Sequence, residues 1–215
     1  TADTDGQLWD FDSKVMRDRA LQKVRDQKPM LLVGSPMCTA FSTWQRINDK
    51  IRCPITVAAE KRRAVEHLEF CCQLYREQLK NGRCFLHEHP AYATLWQEAV
   101  IQSTMNETGV ETATCDQCQY GCADAQGNPV KKPTMFMTNA PELAKRLRTR
   151  CVAKGKGCSR PQGDHHTQCR GKTARMAAMY HFNLCKAILT GFRDQLRADG
   201  TYKHGFVGPM EAGQE

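Results

Sequence analysis

"LLVGSPMCTAFS", Leu31 to Ser42, decides how the chain is read. An apolar run of strand type stops at Gly34, a short loop turns at Pro36, and the loop presents a cysteine, Cys38. That cysteine is either a packed thiol or a nucleophile held at the end of a strand. Upstream, Ser13 opens a helical pattern that runs to Asp26. Downstream, Val65, Leu68, Cys72, Tyr75 and Leu79 recur at helical spacing after Thr56, and Asn81-Gly82 ends that pattern.

A second strand, "RCFLHE", follows. Thr94 and Gln97 have the spacing of a capping box for a helix reaching Met105. "VETATCD" reads as a third strand, and the polar turn "ADAQGNPVKK" leads to a fourth, "TMFMT". Asn139 and Pro141 open a short helix, and a helical region from Thr173 to Ala198 bends near Tyr180 to Phe182. Strands alternating with helices predict an α/β fold: a Rossmann-like, largely parallel sheet flanked by helices. The expected division is a core over 1–150, a Cys/His-rich basic insertion over 151–171, helices over 172–199 that pack on the core, and a loosely ordered tail over 200–215. In such sheets chemistry gathers in loops at the carboxyl ends of strands. Cys38, Glu88 and the Cys115 to Gly121 loop are therefore expected at one edge.

The chain of 215 residues carries a net charge of +8, and nucleic acid is the partner class such a balance suggests. No apolar run approaches the eighteen or so residues that a membrane span needs. The N-terminal "TADTDGQLWDFDS" has no basic region followed by an apolar core, and without an initiator Met the chain reads as a fragment or a processed piece. Twelve cysteines at uneven spacing, several inside helical patterns, suggest a reducing intracellular compartment with a few thiols binding metal.

Gly34, Pro36, Cys38, Phe41 and Ser42 in "GSPMCTAFS" resemble the Pro-Cys loop of cytosine-5 DNA methyltransferases, Gly-x-Pro-Pro-Cys-Gln-x-Phe-Ser, with Met37 and Thr39 as departures. "RCFLHEHP" resembles that family's strand ending in Glu-Asn-Val, with Glu88 at the acid. "CDQCQYG" and "GNPVKKPTMFMTN" resemble its later segment, where Lys131 and Lys132 stand near the family's arginines. The whole is similar to segments in mobile-element polyproteins of eukaryotic microbes. The resemblance implies a DNA-acting enzyme, nuclear, that uses S-adenosylmethionine. It makes Cys38 the nucleophile and Glu88 the acid, with Ser42, Lys131 and Lys132 at the substrate. Asp10 and Pro36 fall to the cofactor, although Asp10 also suits a helix cap. The family's glycine-rich cofactor turn has no counterpart in the residues before Cys38.

"CVAKGKGCSRPQGDHHTQCRGK" places Cys151, Cys158, His165, His166 and Cys169 in a Cys-x6-Cys-x6-His-His-x2-Cys pattern. Three thiols and an imidazole close a tetrahedral zinc site, and zinc would order a stretch with little apolar content. The expected ligands are Cys151, Cys158, His166 and Cys169. Cys115, Cys118 and Cys122 form a separate group that includes a Cys-x-x-Cys. His87 and His89 share one face of their strand, opposite Glu88, and read as packing or loop residues rather than ligands. Lys145, Arg146, Arg148 and Arg150 form a basic face, solvated or set against phosphate. Two further readings compete with the enzyme: a non-catalytic, zinc-stabilised nucleic-acid-binding module of a mobile element, and a structural or assembly protein.

Overall fold

Strand-type and helix-type segments follow one another as the periodicities predict. The computed structural model describes residues 6, 8–43, 45–152, 157–160 and 165–202. Helix α1 (Lys14–Gln27) leads into β1 (Leu31–Gly34). After a 3₁₀ turn at Thr39–Phe41 and the single turn α2 (Gln45–Asn48), helix α3 (Pro54–Lys80) carries the chain back to β2 (Cys84–Pro90). β1 and β2 are parallel, with Leu31 opposite Cys84 and Gly34 opposite His87. A parallel pair needs such a crossover, and α3 supplies it with a buried stripe of Leu68, Cys71, Cys72 and Tyr75.

A 3₁₀ turn at Thr94–Gln97 and α4 (Ala99–Met105) lead to β3 (Glu111–Asp116). Thr94 caps no helix; its hydroxyl donates to the Phe41 carbonyl at 3.3 Å and ties this segment to the Cys38 loop. After β3 no helix intervenes. A 3₁₀ turn at Gln117–Tyr120 and a loop pinned by Asp124, whose N–H donates to the Asn128 carbonyl at 2.9 Å, return the chain as β4 (Pro133–Thr138).

The sheet order is β1-β2-β4-β3, and β4 runs antiparallel to both neighbours. The expected largely parallel sheet is thus corrected: two of the three pairings are antiparallel, because the chain after β3 turns back at the same end of the sheet instead of crossing its face on a helix. β1, β2 and β3 still point one way. Their carboxyl ends share an edge, as expected for Cys38, Glu88 and the Cys115 to Gly121 loop.

Helices cover both faces. Phe85 and Met137 meet Leu68, Cys72, Tyr75, Leu95 and Ile101 on one side. On the other, Leu86, Ala113 and Phe136 meet Leu143 of α5 (Pro141–Arg146) with Leu184 and Ile188 of α7 (Phe182–Ala198). Each fully buried aliphatic or aromatic side chain contributes about 1.5–3 kcal/mol. α5 and α7 cross closely at Gly191, where a Cβ would stand 2.7 Å from Leu143 Cα. α6 (Gly171–Met176) and α7 are separate helices, and residues 177–181 make the expected bend. From residue 203 the expected tail lies outside the described residues. Among the described residues no helix is long and apolar enough to cross a membrane.

Candidate functional site

β1 ends where its backbone presses on α3: a Cβ at Gly34 would come within 2.0 Å of the Tyr75 hydroxyl. The chain then leaves the sheet through Ser35 and Pro36, and Cys38 is exposed at the start of the 3₁₀ turn. Buried Phe41 anchors that turn, edge-on to His89 at 6.0 Å. Lys61 Nζ stands 4.1 Å over the Phe41 ring, a cation–π contact. The Ser42 N–H donates to the Thr39 carbonyl at 3.2 Å and closes the turn.

Glu88 lies on the face of β2 opposite His87 and His89 and is only 4% exposed. Ser35 Oγ, from the Cys38 loop, donates to Glu88 Oε2 at 2.6 Å. Glu88 Oε1 is buried without a hydrogen-bond partner among the described residues. The loop and the acid are therefore joined directly, through a serine that the sequence reading passed over.

Two cavities flank Pro36. One of 470 Å³ is lined by Asp12, Pro36, Met37, Thr39, Arg63 and His67 among others. The other, of 640 Å³, has Trp9, Phe11, Val33, Pro36 and Phe70 on its wall. Asp10 lines neither; its carboxylate accepts from the Asp12 N–H at 3.0 Å in the turn before α1. This contact is the helix-cap alternative for Asp10, in which a short acidic side chain satisfies local backbone. Lys131 is half-buried. Lys132 Nζ donates to the Ala177 carbonyl at 3.1 Å and braces the joint between α6 and α7.

At the far end of the same edge lies a metal-ligand group. The ligand atoms of Cys118, Cys151, Cys158 and His166 all lie within 4.8 Å of one another. Cys151 and Cys158 Sγ are 4.0 Å apart, and Cys151 Sγ is 3.6 Å from His166 Nε2. A tetrahedral ion with metal–sulfur bonds of about 2.3 Å would set its sulfurs about 3.8 Å apart. The three thiols are buried and the imidazole is half-buried. Hydrogen-bond donors point at the sulfurs. The Gln119 amide lies 3.6 Å from Cys118 Sγ and 3.5 Å from Cys158 Sγ, and the Ser159 N–H is 3.4 Å from Cys151 Sγ. Burial above all raises the Cys118 thiol pKa; the Gln119 amide opposes this, while Cys158 and Cys151 add to it. A bound cation reverses that balance by favouring thiolate. This group can hold a metal ion.

The expected fourth ligand was Cys169, and here the reading is corrected: Cys118 takes the position. Thr167 bridges to Val130 in parallel pairing, which carries Cys169 to Cys122, Val130 and Ala177. The turn after β3 points Cys118 at Cys151 and Cys158. Of the separate group, Cys115 is buried in the sheet core. The Cys-x-x-Cys of Cys115 and Cys118 was the signal available, split between two environments.

Each member of the expected basic face meets a carboxylate. Lys145 pairs with Glu142, Arg146 with Asp194 at 2.7 Å, Arg148 with Glu111, and Arg150 with Asp116 at 3.0 Å. His87 and His89 are wholly buried, with ring centroids 5.9 Å apart, and His87 Nδ1 shares a hydrogen bond with the Tyr75 hydroxyl at 2.9 Å. Burial pushes their pKa values down to about 3 and about 4. They are core residues, as expected. Comparisons with protein-family models, with curated proteins and with solved structures each find no match.

Proposed function

We propose that the chain is a cytosine-5 methyltransferase-like domain acting on nucleic acid, DNA before RNA, with Cys38 as nucleophile and Glu88 as acid. The observation that carries this reading is the 2.6 Å bond from Ser35 to Glu88, which couples an exposed-cysteine loop to a buried carboxylate. In the proposed reaction the Cys38 thiolate adds to carbon 6 of a flipped cytosine, and the ring double bond shifts its electrons to carbon 5. Glu88 gives a proton to the ring nitrogen and limits the charge there. Carbon 5 takes a new substituent and loses its hydrogen as a proton to solvent, Glu88 takes back the proton of the ring nitrogen, and departure of the Cys38 sulfur as thiolate restores the ring. S-adenosylmethionine, when bound, supplies the methyl group. The 640 Å³ cavity beside Pro36, walled by Trp9 and Phe11, has the size to admit such a small molecule.

Exchange of the carbon 5 hydrogen with solvent needs only addition and reversal, without a methyl donor. Incubating the protein with cytosine-containing DNA in deuterated water is expected to replace that hydrogen with deuterium, and Cys38→Ser is expected to stop it. Absence of both exchange and methyl transfer would sink the enzyme reading.

The Cys118, Cys151, Cys158 and His166 group favours a second reading, a zinc-closed nucleic-acid-binding module of a mobile element working in the nucleus. We infer zinc as the ion because three thiolates and an imidazole in tetrahedral spacing suit it. Elemental analysis of natively purified protein is expected to find one zinc per chain.

A further inference from the structure

Lys145, Arg146, Arg148 and Arg150 are each matched by a carboxylate, so their charge is neutralised within the chain. The stretch that follows is not matched. From His165 to Arg193 the sequence holds five basic residues and no Asp or Glu. Lys172 and Arg175 stand three apart on α6, a helix with no buried residue, and so share one of its sides. Both are exposed, as is Lys186 on α7, and none of the three meets a carboxylate among the described residues.

Apolar side chains stand in water among these cations. α7 buries Leu184, Ile188, Gly191 and Gln195, and its opposite side carries Phe182, Lys186, Leu189 and Arg193 in one row. Phe182 is 72% exposed, Leu189 65%, and Met179, in the joint before α7, 77%. The joint between α6 and α7 is anchored at two points. Lys132 Nζ donates to the Ala177 carbonyl at 3.1 Å, and the His181 ring lies against Gly121, where a Cβ would come within 2.5 Å of it. Gly121 has φ +94, which favours glycine, and it ends the turn that carries Cys118. The metal-ligand group and the α6–α7 joint thus rest on one segment.

We propose that the outer surface of the α6–α7 pair binds single-stranded nucleic acid: Lys172, Arg175 and Lys186 take backbone phosphates while a base stacks on Phe182. This rests on the reading of the chain as a protein that acts on nucleic acid, and it adds the form of the partner and the surface that holds it. The unmatched cations suit a polyanion. The exposed ring sets the strandedness. Bases in a duplex stack on one another and leave no face for a side chain, whereas an unpaired base offers its face to an aromatic ring. An apolar ring interleaved with cations is the composition of such a platform, and one stacked base covers surface that the fold itself leaves in water.

Fluorescence anisotropy tests this with three probes: oligothymidylate, the same strand with abasic sites in place of its bases, and a duplex of equal length. Wild type is expected to bind oligothymidylate about tenfold more tightly than the abasic strand, the worth of one base stacked on an aromatic ring. Phe182→Ala is expected to bind the two strands alike, with an unchanged thermal midpoint because the ring is exposed. Replacing Lys172, Arg175 and Lys186 together by alanine is expected to weaken both strands and to lower the slope of log affinity against log salt by about 2, at about 0.7 per phosphate. Lys145→Ala with Arg148→Ala is expected to leave that slope unchanged. A Phe182→Ala protein that keeps the preference, a triple variant with the wild-type slope, or a wild type that favours the duplex overturns the inference and leaves the nucleic-acid reading standing. Self-association, or binding to anionic phospholipid vesicles, that replaces strand binding and is lost in Phe182→Ala gives the surface to another occupant and also overturns it. Failure of wild type to bind any of the three probes overturns both.

Discussion

The Cys151 N–H donates to Asp116 Oδ2 at 2.9 Å, and the same oxygen accepts from Arg150 Nε at 3.0 Å. Asp116 is fully buried at the end of β3, two residues before Cys118. One carboxylate thus fixes the backbone of one metal ligand while standing beside another. Such supporting groups commonly carry a 10–100-fold effect on metal affinity. Asp116→Asn, close to isosteric, is expected to weaken zinc binding by about that factor. Competition with a chromophoric chelator measures it, and an unaltered affinity would remove Asp116 from the site.

The ligand set is tested by a pair of serines. Cys118→Ser is expected to lose the bound metal, whereas Cys169→Ser, packed against Cys122 and Val130, keeps one equivalent. Metal content after gel filtration distinguishes them. The reverse pattern would restore Cys169 as the ligand.

Gly34→Ala drives a methyl group into the Tyr75 hydroxyl, whose oxygen would be 2.0 Å away. The ring must shift and its bond to His87 must break. The expected loss is about 1–3 kcal/mol, the usual cost of overpacking. Urea unfolding measures it. In a Tyr75→Phe background the same substitution should cost less, since the nearest remaining ring atom is 3.0 Å away. Equal costs in both backgrounds would place the strain elsewhere.

His87 and His89 make stability depend on pH. Folded, they stay neutral down to about 3 and about 4, because burial above all opposes the charged form; His89 also lowers His87, and Lys132 also lowers His89. Unfolded, each takes up a proton near pH 6.5. The unfolded chain thus binds more protons below that value. The contribution is complete above about pH 6.5 and is lost as pH falls toward the folded values, by up to about 1.4 kcal/mol per unit for each histidine. Urea midpoints should fall between pH 7 and pH 5, and His87→Asn should flatten the slope. A wild-type midpoint that is level over this range contradicts the account.

What was legible in the sequence was local. The strand ending at Gly34, the α3 stripe and the bend near Tyr180 each follow from periodicity and chain-breaking residues within a short window. The reversal of β4 was not legible in that way. Its four buried residues fit either direction, and direction follows from the missing crossover helix after β3. The candidate metal ligands were half legible. Cys151, Cys158 and His166 sit close in sequence, but Cys118 joins them only because the turn after β3 faces the insertion. Ser35 carried no motif, since its meaning depends on the carboxylate it meets.

Cys118 and Cys151 bracket the segment that contains β4 and α5, so an ion held by both is gained only when that segment has folded back on the sheet. Folding and metal uptake then form one linked equilibrium. Free metal at about 100 times its dissociation constant would add about 2.7 kcal/mol to the folded state by mass action. The melting temperature of this protein should therefore be a function of the zinc activity in the buffer, and two laboratories reporting different values could both be right.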